Sequence, residues 1–256
     1  MSETDFISRN KLILIGVIGG LVGIYLAPYF PAAAALGAML AVVWGADAIR
    51  RVAKYGLGTG VPSIGQLALG MGIVASMFGL AIVSHVPIAG PVVALVTASV
   101  IGFIIGWFAQ HVIKMNIPVM ISGMTEIAAA GSLIIVGFSS AATGSYMFST
   151  LVENIFKDGI ILVVFWMGAM AILHPFNATL GPDEKQRRTL YLAVSTGAVT
   201  MTIIGIASTM IIHSAGLITM VIGLVLWLVF YKKFWDEVYK DSASVVGTGL
   251  IPKTEA

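Results

Sequence analysis

The sequence has no cysteine and very little charge. Of its 256 residues, 0 are cysteine, which excludes disulfides, thiolate metal sites and a cysteine nucleophile. Only 10% are charged and 58% are hydrophobic, whereas soluble domains have about 25% charged residues. The net charge of +2 is too small to indicate nucleic-acid binding. The composition therefore predicts one polytopic membrane domain over residues 1–256, with the lipid bilayer as its surroundings.

Long apolar runs separated by short links predict an all-α integral membrane protein. A membrane-spanning helix needs about 20 apolar residues, and a β-barrel would instead show alternation in segments of about ten residues. We predict about eight spans, within a range of six to eight, arranged as hairpins. They lie near residues 12–28, 32–49, 64–84, 90–112, 120–142, 157–174, 190–212 and 215–231. The His174–Pro175 pair leaves open whether the sixth helix ends early or forms a re-entrant element.

Basic residues are distributed unevenly among the links. All 14 Lys and Arg residues except Lys157 fall in alternate connections or in the two tails. Cytoplasmic segments carry such an excess of Lys and Arg. The pattern predicts a multi-pass protein of the cell (cytoplasmic) membrane with both termini in the cytoplasm. Residues 1–11 and 232–256 are then cytoplasmic tails, and residues 143–157 lie outside.

A glycine-rich stretch, YGLGTGVPSIG at residues 55–65, superficially resembles a phosphate-binding loop. It lacks the Lys-Ser/Thr pair of a P-loop and the G-x-G-x-x-G spacing of a dinucleotide site. Pro62 also removes one N–H donor. We interpret the glycines as helix caps and turns. The alternative is an anion or thiolate ligand held by exposed backbone amides at Gly58 and Gly60.

Small residues spaced one helical turn apart predict close helix packing. Such pairs occur at Gly16 and Gly20, Gly19 and Gly23, and Gly102 and Gly106. The sequence does not apportion them between contacts within this chain and contacts with other subunits.

Glu126 is the acidic residue that the predicted topology places well inside a span. It follows Pro118 by eight residues, which is about 12 Å along a helix. A charge there is costly unless it is paired or hydrated, so it is a candidate functional site. Ser122 and Thr125 supply further oxygen atoms, which suit a hard cation such as sodium. The alternative is a carboxyl group hydrogen-bonded to a neighbouring helix or reaching the lipid headgroups.

Two further polar positions lie near the ends of predicted helices. Asp47 is a second candidate for a cation path, but its spacing to Arg50 and Arg51 favours an ion pair at i,i+3 or i,i+4. His174 and Asn177, together with Gly58 and Gly60, are candidates for a ligand mouth on the cytoplasmic side. Pro175 frees a backbone carbonyl there. The alternative is a broken helix end held by its own side chains.

Three long strings carry a family resemblance. ADAIRRVAKYGLGTGVPSIG at residues 46–65, MTEIAAAG at residues 124–131 and AILHPFNATLGPDEKQ at residues 171–186 resemble the C subunit of the methanogens' membrane-bound tetrahydromethanopterin S-methyltransferase. The similarity extends almost from end to end. It implies a complex that transfers a methyl group from methyl-tetrahydromethanopterin through a cobamide to coenzyme M while exporting sodium.

The resemblance also implies the partners. The cobamide is held by another subunit, the D and E subunits are the membrane partners, and no cofactor is expected on this chain. No catalytic residue is carried over. The preferred interpretation is a subunit that contributes to the cation path, with sodium at Glu126, or to a coenzyme M cavity. The alternatives are a purely structural membrane scaffold and an independent secondary transporter.

Overall fold

The computed structural model describes residues 5–55, 61–157, 159–177 and 185–242, and within these ranges every regular element is helical. The elements are α1 (Arg9–Leu26), α2 (Pro31–Ala53), α3 (Val61–Ile82), α4 (Gly90–His111), α5 (Met120–Thr143), α6 (Phe148–Leu151), α7 (Ile160–Asn177) and α8 (Gln186–Ser242). A 3₁₀ turn at Pro87–Ala89 precedes α4, and a π-helical turn at Val152–Phe156 follows α6.

Local sequence signals explain where α2 begins and where α5 ends. Pro31 opens α2 at a position where the missing N–H costs no hydrogen bond. Gly144 follows α5 in the left-handed conformation, with φ of 68°, and its N–H donates to the Ser140 carbonyl at 2.8 Å. Glycine adopts this conformation without the steric cost that a Cβ atom brings.

Helices α2 and α5 form the centre of the bundle. In each, 83% of the apolar stretch is buried, compared with 28% in α1 and in α4. Among the described residues, six helices are long and apolar enough to cross a membrane, namely α1 to α5 and α8, and α7 has a shorter apolar stretch. The prediction of an all-helical chain is confirmed, and these helices are consistent with a membrane protein.

Glycine allows neighbouring helices to touch at the backbone. A Cβ atom placed on Gly23 of α1 would lie 2.5 Å from the Ala33 carbonyl oxygen of α2. One placed on Gly102 of α4 would lie 2.5 Å from the Met124 carbonyl oxygen of α5. The small-residue faces of α1 and α4 therefore serve contacts within the chain.

Helix α8 folds back on itself. The backbone is non-helical at Ile212 and His213, where φ is −126° and 31°. The two halves pack side by side, because a Cβ atom on Gly223 would lie 2.7 Å from the Thr202 nitrogen. The Tyr191 and Phe230 rings also meet, with centroids 6.1 Å apart. These contacts make α8 an antiparallel hairpin, and its two arms overlap the segments 190–212 and 215–231. That each arm crosses the membrane stays a prediction.

Pro175 lies inside α7 and does not end it. Proline has no N–H to donate to the carbonyl four residues earlier, which is that of Ala171. The Thr196 hydroxyl of α8 donates to this carbonyl oxygen at 2.8 Å. Because the free carbonyl finds a partner, α7 continues to Asn177. The helix thus spans 160–177, where the sequence predicted 157–174.

The described helix ends and connections lie at two opposite ends of the bundle. At one end the Tyr25 hydroxyl donates to the Ile88 carbonyl at 2.6 Å, and the Tyr25 and Tyr146 rings meet at 5.3 Å. The other end, which we call the basic end, contains the starts of α1, α5 and α8 and the end of α2. At this end Arg187, near the start of α8, lies 4.0 Å from Glu237, near its end. Residues 232–242, which the sequence predicted as a tail, therefore continue α8 and lie beside its first turns.

Candidate functional site

The basic end contains a cluster of charged side chains drawn from three helices and the segment before α1. We call it the charge cluster, and its members are Asp5, Arg9, Asp47, Arg50, Arg51 and Glu126. Asp47 and Arg50 are each 1% exposed and Glu126 is 5% exposed. Burial of these three charges requires that each be paired and hydrogen-bonded.

Both oxygens of Glu126 are fully engaged. Its Oε1 accepts hydrogen bonds from Arg9 Nε at 2.9 Å and from Arg9 Nη2 at 2.6 Å. Its Oε2 accepts one from Trp44 Nε1 at 2.9 Å and one from Arg51 Nη2. An ionised carboxylate has about four acceptor sites, so this carboxylate is saturated by N–H donors.

Asp47 also accepts four hydrogen bonds, three at one oxygen and one at the other. Its Oδ1 accepts from Arg50 Nε at 3.0 Å, from Arg50 Nη2 at 2.9 Å and from Gln186 Nε2 at 3.0 Å. Its Oδ2 accepts from Arg51 Nε at 3.1 Å. The ion pairs with Arg50 and Arg51 predicted from the spacing are confirmed.

The segment before α1 is fastened to the cluster by backbone and side-chain contacts. The Gln186 amide accepts from the Ile7 N–H at 2.8 Å and donates to the Ile7 carbonyl at 2.9 Å. Arg50 Nη2 donates to Asp5 at 2.8 Å, and the Arg187 guanidinium lies 4.8 Å from the centre of the Phe6 ring. Residues 5–8 therefore lie across the basic end as part of the fold.

The charge cluster is electrically balanced. Arg9, Arg50 and Arg51 oppose Asp5, Asp47 and Glu126, and Arg51 links the two buried carboxylates by donating to both. Lys54 approaches Asp5 at 4.0 Å from the rim. A neutral set of charges with every buried oxygen engaged is suited to holding helices in fixed positions.

The structure brings together two of the four residues predicted for a cation path. Glu126 and Asp47 share Arg51, but the hydroxyls of Ser122 and Thr125 turn away to their own helix. They donate to the Val119 carbonyl at 3.2 Å and the Ile121 carbonyl at 2.8 Å. Among the described residues, no group of three His, Asp or Glu side chains is placed to hold a metal ion.

His174 lies apart from the charge cluster, on a groove between α7 and α8. The groove has a volume of about 210 Å³. Its walls come from α7 and both halves of α8, with lining residues Met167, Met170, Ala171, His174, Leu192, Ser195, Thr196, Val199, Thr200, Trp227 and Tyr231. Asn177 is the last residue of α7. Gly58 and Gly60, the other residues predicted at the ligand mouth, lie outside the described residues.

Sequence reasoning missed Arg9, Trp44 and Gln186 as members of this site. Trp44 could have been predicted from the sequence, because positions 44, 47 and 51 have helical spacing and so share one face of α2. No local pattern predicts Arg9 or Gln186, because their partners Glu126 and Asp47 lie 117 and 139 residues away along the chain.

Comparison with known proteins identifies the family. The family model that describes the C subunit of tetrahydromethanopterin S-methyltransferase matches residues 1–255. The Methanosarcina mazei protein of that name is 50% identical over 253 residues, which cover 96% of this chain and 93% of the relative.

More distant relatives carry the same name. The Methanothermobacter thermautotrophicus protein is 43% identical, with 97% of this chain and 95% of the relative covered. A Methanococcus maripaludis protein is 37% identical, with 98% and 96% covered. The chain therefore belongs to the family of the tetrahydromethanopterin S-methyltransferase C subunits.

Proposed function

We propose that this chain is an integral membrane subunit of a complex that transfers a methyl group from tetrahydromethanopterin to coenzyme M and exports sodium. The relatives' shared name and the six long apolar helices support this assignment. The cobamide is carried by a partner, and the membrane partners are the D and E subunits. Co-purification of the native chain with a protein that shows a cobamide absorbance spectrum tests this membership, whereas an independent transporter would purify alone.

The proposed topology has eight crossings with both termini in the cytoplasm. Because α8 is a hairpin, it contributes two crossings, and α7 contributes one. The basic end is the cytoplasmic side by the positive-inside rule, since Arg50, Arg51 and Arg187 all lie there. We therefore place the chain in the cytoplasmic membrane.

The contribution that the geometry favours for this chain is structural. The saturated charge cluster joins the segment before α1 to α2, α5 and α8 at the cytoplasmic side. It holds this face rigid for the partners that carry out the chemistry. The single observation behind this proposal is that all four acceptor sites of Glu126 are filled by N–H donors of the same chain.

A sodium site at Glu126 stays a prediction, as does a coenzyme M mouth at His174 and Asn177. Sodium binding at Glu126 would require Arg9 or Arg51 to withdraw, because both guanidinium groups repel a cation and occupy its oxygens. The structural and cation-path interpretations therefore give opposite expectations for substitutions of these partners.

Arg9→Gln separates the two interpretations with little risk to folding, because the Arg9 side chain is 44% exposed. If Glu126 binds sodium, removing the competing guanidinium should lower the sodium concentration needed for half-maximal methyl transfer by the complex. If the cluster is structural, that concentration is unchanged and only thermal stability falls. Lys11→Gln, at an exposed basic residue slightly further along α1, is the matched control.

Glu126→Gln provides the complementary measurement. The introduced NH₂ group would face N–H donors and could not accept their hydrogen bonds. The structural role therefore predicts a lower yield of assembled complex. The complex that does assemble should have an unchanged sodium requirement. Normal assembly with a raised sodium requirement would establish the cation path instead. Glu153→Gln, at an exposed acidic position, is the control.

A further inference from the structure

Helix α7 presents a row of large side chains away from the bundle. Leu162, Trp166 and Met170 follow one another at four-residue spacing, and they are 75%, 70% and 37% exposed. The other side of the helix is packed, since Val164 and Ile172 are fully buried. The bundle therefore covers one side of α7, and the row around Trp166 protrudes from it.

Trp166 lies at mid-depth in the bundle. The Thr200 hydroxyl donates at 3.2 Å to the carbonyl oxygen of Met167, the next residue of α7. Thr200 is close to the middle of the first arm of α8, which runs from Gln186 to the non-helical backbone at Ile212. Because the proposed topology makes this arm a complete crossing, Trp166 lies near the centre of the hydrocarbon core.

This depth is unusual for an exposed tryptophan. Tryptophan concentrates at the two membrane–water interfaces, where the indole N–H reaches polar atoms. Trp107 follows this rule, since it lies one turn before the end of α4 and its ring stacks on His111 at 5.2 Å. Trp235 follows it too, two residues after Lys233. Trp166 lies at neither interface, so anchoring in the head groups does not account for its exposure.

The Trp166 indole also has an unused donor. Its N–H makes no hydrogen bond with any described residue, whereas the buried Trp44 indole donates to Glu126 at 2.9 Å. Acyl chains offer no acceptor, and an N–H group left unpaired in hydrocarbon is destabilising. A protein surface with an oxygen atom at this depth satisfies the donor, and lipid tails do not.

The backbone at the start of α7 favours a protein neighbour as well. The apolar stretch Leu162–Pro175 is about 21 Å long at 1.5 Å per residue, which is less than the hydrocarbon core of about 30 Å. Irregular backbone therefore comes close to the core before the helix, where Gly159 has a φ of 75°. Such backbone is stable at membrane depth only where protein or a water-filled cavity covers it.

We propose that a transmembrane helix of another subunit of the complex packs along α7, with Trp166 as the anchor of the contact. This inference rests on the proposed membership of the complex. The docked helix has small residues opposite the indole ring, which allow close approach. A serine, threonine or asparagine oxygen of that helix accepts the hydrogen bond from Trp166 Nε1.

Replacing two exposed tryptophans one at a time tests the anchor. The complex is purified through a tag on this chain and diluted in a mild detergent, and the retention of each membrane subunit is measured. Trp166→Ala should raise the dissociation constant of one membrane subunit about thirtyfold, as truncation of a central aromatic anchor does. Trp166→Phe keeps a ring and loses the N–H, so it should raise that constant about fivefold. Trp107→Ala is the control and should have no effect.

A photo-reactive side chain identifies the neighbour directly. The amino acid p-benzoylphenylalanine replaces Leu162, one turn from Trp166, and leaves the tryptophan intact. Irradiation of the complex should cross-link this position to a membrane-spanning segment of a subunit that also co-purifies with the unmodified chain, and mass spectrometry identifies the segment. Cross-linking to lipid alone, or to a second copy of this chain, would overturn the proposal.

Two controls separate this inference from folding and from the proposed function. Trp166→Ala should leave the thermal unfolding midpoint of the isolated chain unchanged, and a lower midpoint would show that Trp166 serves the chain's own fold instead. If the unmodified chain retains no other subunit, the proposed function itself fails. If it retains them and Trp166→Ala retains them equally, the complex stands and only the anchor is refuted.

Discussion

Among the residues that the structure describes, Arg50 has the largest fully buried side chain, with 1% of the residue exposed. Its guanidinium is held by the carboxylates of Asp47 and Asp5, at 2.9 and 2.8 Å from Nη2. These two partners differ in burial, because the Asp47 side chain is 1% exposed and that of Asp5 is 39% exposed. The same arginine thus makes one interior and one peripheral ion pair.

Removing the charge of Asp47 should be far more damaging than removing that of Asp5. Asp47→Asn leaves Arg50 and Arg51 without a shared buried anion, and breaking a buried ion pair costs about 3–5 kcal/mol. Asp5→Asn loses a partly exposed pair, worth about 1 kcal/mol or less. The free energy of unfolding of the full chain, measured by titration with a denaturing detergent, compares the two.

Equal losses for the two variants would contradict this burial argument. A large loss with Asp5→Asn alone would indicate instead that the segment before α1 contributes most of the stability of the basic end.

Part of the charge cluster could be predicted from the sequence and part could not. The Asp47 pairs with Arg50 and Arg51 follow from helical spacing, which is local information. The pairing of Arg9 with Glu126 depends on how α1 and α5 pack, and no local pattern encodes it. Glu126 was recognised as a costly buried charge, but the sequence did not reveal that its compensation comes from two arginines and a tryptophan.

At the scale of helices, the interface between α4 and α5 depends on backbone contact. A Cβ atom on Gly102 would lie 2.9 Å from Thr125 Cα as well as 2.5 Å from the Met124 carbonyl oxygen. Neither backbone atom can move aside as a flexible side chain could. In contrast, a Cβ atom on Gly70 of α3 would meet nothing within 4 Å.

Gly102→Ala should therefore separate α4 from α5, and the overpacking is expected to cost about 1–3 kcal/mol. Gly70→Ala is the matched control. It should be neutral or stabilising by up to about 1 kcal/mol, because alanine favours helix formation over glycine. Thermal unfolding midpoints of the two purified variants provide the measurement, and equal midpoints would refute the proposed role of Gly102.

The positions of the helices were predictable because hydropathy reports the membrane-spanning segments directly. Their ends were less predictable. No sequence pattern indicated that Thr196 would satisfy the carbonyl freed by Pro175, and this contact lets α7 run to Asn177. Likewise, the basic and acidic residues from Lys232 onward resemble a tail, yet α8 continues through them beside Arg187.

At the scale of the whole molecule, the two ends of the bundle differ in charge. The charge cluster lies at one end, and uncharged contacts among Tyr25, Ile88 and Tyr146 lie at the other. A helical bundle with its charge cluster at one end has a preferred orientation in the membrane, because cytoplasmic segments carry the excess of Lys and Arg.

This orientation predicts which introduced cysteines an impermeant maleimide can reach. Ser149 is exposed in α6, in the connection expected outside, whereas Val112 is 52% exposed in the connection expected in the cytoplasm. In right-side-out membrane vesicles, Ser149→Cys should react at once and Val112→Cys only after permeabilisation. In inverted vesicles the order should reverse. Because the chain has no cysteine of its own, labelling of this subunit reports the introduced position alone. Reaction of both variants from the same side would contradict an odd number of crossings between residues 112 and 149, and with it the assignment of α5 as a complete span.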